Sequence, residues 1–366
     1  MNEISEATPR QLGWRRFRRH RLGFFSAVVL LTMYLVAYLS DFVTPYTADK
    51  RNVSAINAPP MSIHFINEKG QFHFRPFVYG WDKSVNPDTW AREYKENPEL
   101  VFPIRFFSQG EPYELWGLIP LKTHLFTVHG DHYIHLFGTD PLGRDMFSRV
   151  IHGSRISLSI GLIGVVLALF LGVLLGGLSG YLGGWTDRII QRVIEVLQSI
   201  PTLPLWMALS AALPVLWPPL RVYFGVTIIL SFLSWPGLAR QVRGRFLALR
   251  EEEFIVAARL LGARKLRVIF KHMLPSFLSH TITAATLTIP GMILGETALS
   301  FLGIGLRPPV VSWGVLLQQA QNYQVIVMSP WLLIPGLFVV VTVMAFNLMG
   351  DGLRDAADPY STQGQK

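Results

Sequence analysis

Four stretches of this sequence, residues 22–40, 156–186, 222–239 and 308–350, contain no Asp, Glu, Lys or Arg. A helix crossing a hydrocarbon core about 30 Å thick needs about 20 predominantly apolar residues, and each stretch reaches or approaches that length. Lipid offers no partner to a backbone N–H or C=O, so spanning segments of this length have to be helical. Half of the 366 residues are hydrophobic, but it is their grouping into charge-free blocks that excludes an ordinary soluble fold. The chain reads as an all-α integral membrane protein.

Where the charges fall sets the topology. Arg10, Arg15, Arg16, Arg18, Arg19 and Arg21 lead directly into the first apolar run. That run is longer than a signal-peptide core and ends in Tyr38-Leu39-Ser40-Asp41 without a small-x-small cleavage site, which predicts an uncleaved first span. Clustered arginine before it predicts a cytoplasmic N-terminus. Residues 41–155 then mix Pro, aromatic residues and both charge signs, with turn signals at Asn57-Ala58-Pro59-Pro60 and Asn86-Pro87-Asp88. This predicts a large extracytoplasmic insertion with some fold of its own. Five further spans are expected at about 157–179, 192–213, 222–239, 276–297 and 331–349. Segment 240–275 carries nine Arg or Lys residues, among them Arg240, Arg243, Arg259 and Lys271, against Glu251, Glu252 and Glu253. Basic loops stay inside, and the count of spans agrees. The expected layout is a cytoplasmic basic N-terminus (1–21), a first span (22–40), the insertion (41–155), a five-helix core with a coupling loop at 240–275 (156–350) and a cytoplasmic C-terminus (351–366).

The most informative cytoplasmic stretch runs from Phe254 to Pro275. It reads as helix, break at Gly262, second helix and stop at Pro275. Ala257 and Ala258 favour helix and add little bulk, so another surface can approach the backbone closely. Gly262 can take positive φ and end a short helix. Leu266, Ile269, Phe270 and Met273 recur at helical spacing and give the second helix an apolar face. A short amphipathic piece of this kind needs something to bury it.

These residues resemble a known pattern. Ala257-Ala258, then Gly262, then Leu274-Pro275 are similar to the cytoplasmic EAA loop of binding-protein-dependent ABC importers. The resemblance implies a coupling helix lodged in a groove of an ATPase subunit, with Ala257, Ala258, Gly262, Ala263, Leu274 and Pro275 as the coupling positions. Val256 stands where that family usually has Glu, and His272 stands where Ile is common. Three further stretches resemble the C-type permeases of dipeptide and oligopeptide importers. One is Phe137-Gly138-Thr139-Asp140-Pro141-Leu142-Gly143-Arg144-Asp145, with Ser148-Arg149 and Gly153-Ser154-Arg155 behind it. The next is Leu299 to Gly305 with Pro308-Pro309 and Ser312-Trp313-Gly314. The last is Asn347-Leu348 with Gly350-Asp351, Leu353-Arg354-Asp355 and Asp358-Pro359.

The resemblance implies a multi-pass permease of the bacterial cytoplasmic (inner) membrane, with both termini cytoplasmic. Its partners would be a second permease subunit, two ATPase subunits or domains, an extracytoplasmic substrate-binding protein and membrane lipid. Peptides are the implied cargo most often, with nickel chelates and peptide-like or glycan-like compounds as lesser options. ATP and Mg would belong to the partner subunits, leaving this chain non-catalytic and without a cofactor. The insertion at 45–135 lies outside the common pattern; its aromatics Trp81, Trp90, Tyr94 and Trp116 suggest a docking or occluding structure for the binding protein.

The residues themselves bound the chemistry independently. No G-x-x-x-x-G-K-[ST] phosphate loop occurs, so the sequence offers no visible means of binding ATP. Cysteine is absent, which removes disulfides and thiolate chemistry. His129, His132 and His135 are spaced three apart but lack a placed carboxylate or fourth ligand, so no metal site is assigned. The basic excess sits beside membrane spans, which argues against nucleic acid. Glu296, near the end of the fifth span, is an intramembrane acid and a candidate for the pathway or a gate; the alternative is a hydrogen-bonded place within the outer loop. A self-contained secondary carrier or membrane enzyme would need several buried acids or histidines at mid-membrane, and the spans are nearly bare of them.

Overall fold

The computed structural model describes residues 9–85, 87, 92–130 and 132–357. Trp90, Asn86, Asp88 and the Asp358-Pro359 pair of the sequence reading lie outside the described residues. Helices α1 (Pro9–Arg19) and α2 (Arg21–Tyr38) are followed by a single turn, α3 (Ser40–Val43). After the insertion come α4 (Met146–Leu182), α5 (Gly184–Ser199), α6 (Thr202–Ala211) and α7 (Pro219–Leu249). A hairpin then carries α8 (Glu253–Leu260), α9 (Lys265–Arg267) and a π-helical turn (Val268–Met273) into α10 (Leu274–Thr286) and α11 (Ile289–Phe301). Two short helices, α12 (Trp313–Gln318) and α13 (Tyr323–Met328), precede the long last helix α14 (Ile334–Ala357).

Among the described residues, five helical segments are long and apolar enough to cross a membrane, and a sixth is added if α5 and α6 count as one span. Those two helices are bent by 89° at Ile200-Pro201, where proline lacks the donor a continuing helix needs and restricts the residue before it. The expected third span at 192–213 is therefore broken. The helices on either side of it, α4 and α7, run parallel. Ser159 Oγ, in the first half of α4, lies 2.8 Å from Tyr223 Oη in the first turns of α7. Further along, Gly172 meets Leu238, and Gly180 meets Phe246 and Arg243. Only a chain that returns along the length of α4 can begin α7 at that helix's starting end. The glycines make the contact close: a Cβ on Gly176 would stand 2.4 Å from the Ala239 carbonyl oxygen. At the other side of the bundle, α2 starts where α14 ends, with Gly23 against Gly352 and His20 Nε2 3.6 Å from Asp355 Oδ2.

The insertion corrects the all-α expectation. Residues between α3 and α4 form a four-stranded antiparallel sheet in sequential order: β1 (His64–Ile66), β2 (Phe72–Val85), β3 (Arg92–Leu115) and β4 (Ile119–Val128). Register shifts between Tyr79 and Gly80 and between Gln109 and Tyr113 bend the strands, as bulges do. Val78, Ile104, Phe126, Val128 and Ile134 form its core, with Tyr46. Trp81 stacks on His135 at 5.8 Å and packs edge-on to Tyr94, so both belong to the insertion's own packing.

A polar knot joins sheet to helix. Buried Asp140 accepts from the Leu142 and Arg144 amides, both at 2.9 Å, and from Arg144 Nε at 2.7 Å. Arg149, also buried, holds Nη1 3.4 Å from the same carboxylate, an ion pair without hydrogen-bond geometry. Asp145 caps α4 through the Ser148 amide at 2.7 Å and meets His135 Nδ1 at 3.0 Å. Asp41 couples α3 to α4: burial pushes its carboxyl up, but hydrogen bonds from His152 and Arg155 outweigh that and hold it down at about 2. Of the other expected spans, the one at 276–297 is divided between α10 and α11, and α7 continues to Leu249, carrying Arg240, Arg243 and Arg245 beyond the expected limit at 239.

Candidate coupling surface and buried carboxylate

The 250–275 hairpin is built on a helix stop. Gly262 has φ +77°, its amide donates to the Arg259 carbonyl at 2.9 Å, and the Ala263 amide donates to Ala258 at 3.1 Å. This pair of bonds is the Schellman closure, which wants glycine at that position. Among the described residues nothing lies within 4 Å of a Cβ added at Gly262. Glycine is required here by the backbone angle, not by crowding from its own chain.

The second limb differs from the sequence expectation. Pro275 does not stop the helix; it lies in the first turn of α10, where a missing N–H costs little. The π-helical turn before it redistributes the apolar face. Val268, Ile269 and Met273 are buried with Ile255, Val242, Phe246 and Phe277, against Val173 and Tyr181 of α4. Leu266 and Phe270 point outward instead. The hairpin is thus anchored to α4 and α7 along one side. Arg259 lies 4.9 Å over the Tyr181 ring. Asp187 receives Nε and Nη2 of Arg243, both at 2.6 Å, tying the start of α5 to the end of α7.

Its other side is bare. Leu260 is 83% and Leu261 88% exposed, and Phe254, Val256, Leu266 and Phe270 are exposed as well. Of the six positions named for coupling, Ala257, Gly262 and Pro275 are exposed, while Ala258, Ala263 and Leu274 are half-buried. An uncovered apolar patch on a rigid support is the mark of an interaction surface. The leucines were absent from the sequence reading, though two adjacent leucines just before a helix-ending glycine were a signal available to it.

Glu296 sits far from this surface. It is fully buried in α11. Its carboxylate accepts from Ser300 Oγ at 2.8 Å, Ser312 Oγ at 2.7 Å and Ser157 Oγ at 3.2 Å. Those hydroxyls accept in turn from backbone amides: Leu306 to Ser300 at 3.0 Å, Trp313 to Ser157 at 3.1 Å and Val315 to Ser312 at 3.2 Å. The irregular segment 302–312, with its glycines and prolines, is folded around this ring. The three histidines go separate ways: His135 is buried against Asp145, His132 stacks on Phe102 at 4.1 Å and His129 is exposed.

Residues 168–361 match the family described as binding-protein-dependent transport system inner membrane component. Residues 8–60 match the N-terminal TM domain of oligopeptide transport permease C. The oligopeptide transport system permease protein OppC of Haemophilus influenzae is 42% identical over 231 residues, 62% of this chain and 70% of that protein. OppC of Bacillus subtilis is 39% identical over 226 residues, 62% of this chain and 72% of that protein. The dipeptide transport system permease protein DppC of Bacillus subtilis is 29% identical over 351 residues, 95% of this chain and 85% of that protein, a range long enough to include the insertion. A bundle of long apolar helices, an anchored hairpin with a bare apolar side and these matches lead to one conclusion: the chain belongs to the family of binding-protein-dependent transport system inner membrane components, as a permease subunit of an ABC importer.

Proposed function

We propose that this chain forms, with a second permease subunit, the inner-membrane pathway of a peptide importer, and that it takes its motion from partner ATPases through the 250–275 hairpin. Peptide as cargo is supported by the oligopeptide and dipeptide permeases that it resembles. Six spans with both termini cytoplasmic are supported by the parallel pairing of α4 with α7 and by the meeting of α2 and α14 at their terminal ends. The insertion would then lie outside, where a substrate-binding protein docks. ATP and Mg belong to the partners.

The observation that carries this reading is the bare apolar side of a hairpin whose other side is fixed to α4 and α7. A groove that closes over Leu260, Leu261 and Phe270 would pull on both helices at once. Ala257 and Ala258 sit within that surface and leave room for close approach. Glu296 holds the outer segment around α12 together and serves the pathway as a positioning residue there. The test is copurification. Ala258→Glu and Leu260→Glu are expected to insert at normal yield and to lose the ATPases at least tenfold relative to the unmodified chain. ATPase retention by both variants would sink the coupling role.

A further inference from the structure

Among the described residues, three that are not glycine take positive φ: Asn57 at 50°, Phe107 at 49° and Trp116 at 57°. Asparagine tolerates this conformation, but a bulky aromatic is a steric outlier there and persists only where its surroundings hold it. Both aromatics are held by the end of the first span. Trp116 and Gly117 (φ 70°) are the central residues of the β3–β4 turn, closed by the Leu118 amide on the Leu115 carbonyl at 3.1 Å. The Trp116 ring lies 4.6 Å from that of Tyr38, the last residue of α2, and its indole N–H donates to the Tyr38 carbonyl at 3.0 Å. Phe107 lies 6.1 Å from Phe42, one turn further along. Buried His124 of β4 meets the Thr44 carbonyl. Three contacts thus fasten the hairpin at the level where α2 leaves the bilayer.

The tip that these contacts hold has no covering of its own. Residues 115–121, Leu-Trp-Gly-Leu-Ile-Pro-Leu, include no charge and no polar side-chain group except the indole N–H, and they are flanked by Glu114 and Lys122. Leu118 is 80% exposed and Ile119 and Leu121 are exposed too. Exposed Leu31, Leu35 and Tyr38 bring the apolar surface of α2 up to the same tip. Tryptophan favours the membrane boundary because its ring is apolar and its N–H is not.

We propose that the β3–β4 turn is a membrane foot: Trp116, Leu118, Ile119 and Leu121 rest in the interfacial lipid of the leaflet in which α2 ends, and fix the height of the insertion above the bilayer. The inference rests on α2 being a membrane span. Because the chain has no cysteine, single cysteines report without interference. Leu118→Cys, Leu31→Cys and Lys69→Cys would each be spin-labelled in the assembled transporter, with cysteine-free partners, in phosphatidylcholine–phosphatidylglycerol liposomes. Collisions with oxygen and with a water-soluble nickel chelate are then measured. The label at 118 is expected to resemble that at 31, open to oxygen and at least fivefold less open to nickel than the label at 69 in the exposed β1–β2 turn. Nickel access at 118 equal to that at 69 overturns the foot, and so does shielding at 118 from both reagents, which would mean that a protein covers it. A label at 31 that lipid does not reach overturns the span reading itself, and the foot with it.

Discussion

The two ends of α4 are finished in opposite ways. At its beginning, Asp140, Asp145 and Glu296 are buried, and each carboxylate is met by donors from its own chain. At its far end, the hairpin that packs on Val173 and Tyr181 leaves two leucines almost entirely uncovered. A buried polar group with partners closes a structure, since leaving any member unpaired is costly. An uncovered apolar group on a fixed support does the reverse and waits for another surface. One end of the bundle is therefore closed by its own chain, and the other leaves apolar surface open.

Substitutions can break this contrast in order of expected size. The largest effect belongs to Asp140→Ala, which strands the buried Arg149 guanidinium. Removing one partner of a buried pair typically costs about 3–5 kcal/mol, so the purified chain should lose folded yield and unfold at markedly lower temperature in detergent. Normal thermal unfolding of that variant would show that the knot is ornamental. Glu296→Ala comes next, at about 1–3 kcal/mol overall, because Ser157 and Ser300 lie in helices and their freed hydroxyls can turn to a carbonyl of the preceding turn. Glu296→Gln keeps an acceptor oxygen and the volume, and should recover much of the unfolding temperature; equal damage from both would show that the charge matters more than the hydrogen bonds.

The smaller effects lie in the hairpin. Gly262→Ala forces a side chain into positive φ at a cost of about 1–2 kcal/mol. The expected readout is local: faster hydrogen exchange at the amides of residues 262 and 263, with the bundle unaffected. Protection unchanged at both amides would mean that the turn relaxes without penalty. Smallest of all is Leu261→Glu. Surface changes usually stay within about 0.5 kcal/mol, so the chain alone should unfold as before even though the ATPases are lost. A clear drop in the isolated chain's stability would mean that the leucine is covered at home, and the contrast between the two ends would fail.

Not all of this was open to a reading of residues alone. The helix stop at Gly262 was legible, because a glycine after a helix and before a basic amphipathic run has one economical use. The π-helical turn was not: spacing put Leu266, Ile269, Phe270 and Met273 on one face, and one extra residue in the turn split them into a buried and an exposed pair. The β-sheet also escaped notice, since bulges interrupt the alternation by which strands are recognised. Nearness in sequence leaves Asp140 and Asp145 equally placed to pair with Arg144 or Arg149. Asp140 takes both arginines, while Asp145 caps a helix instead.

By itself the sequence determined which segments leave water. Apolar transfer and the need to satisfy every backbone group within a helix are properties of contiguous residues, so they can be read in order along the chain. What only the tertiary structure decided is which polar groups meet. Ser157 reaches Glu296 across 139 positions, and the Trp313 amide reaches Ser157 across 156. Tyr38 and Trp116 meet across 78. A hydrogen bond depends on distances of tenths of an ångström between atoms remote in sequence, and no local pattern records them.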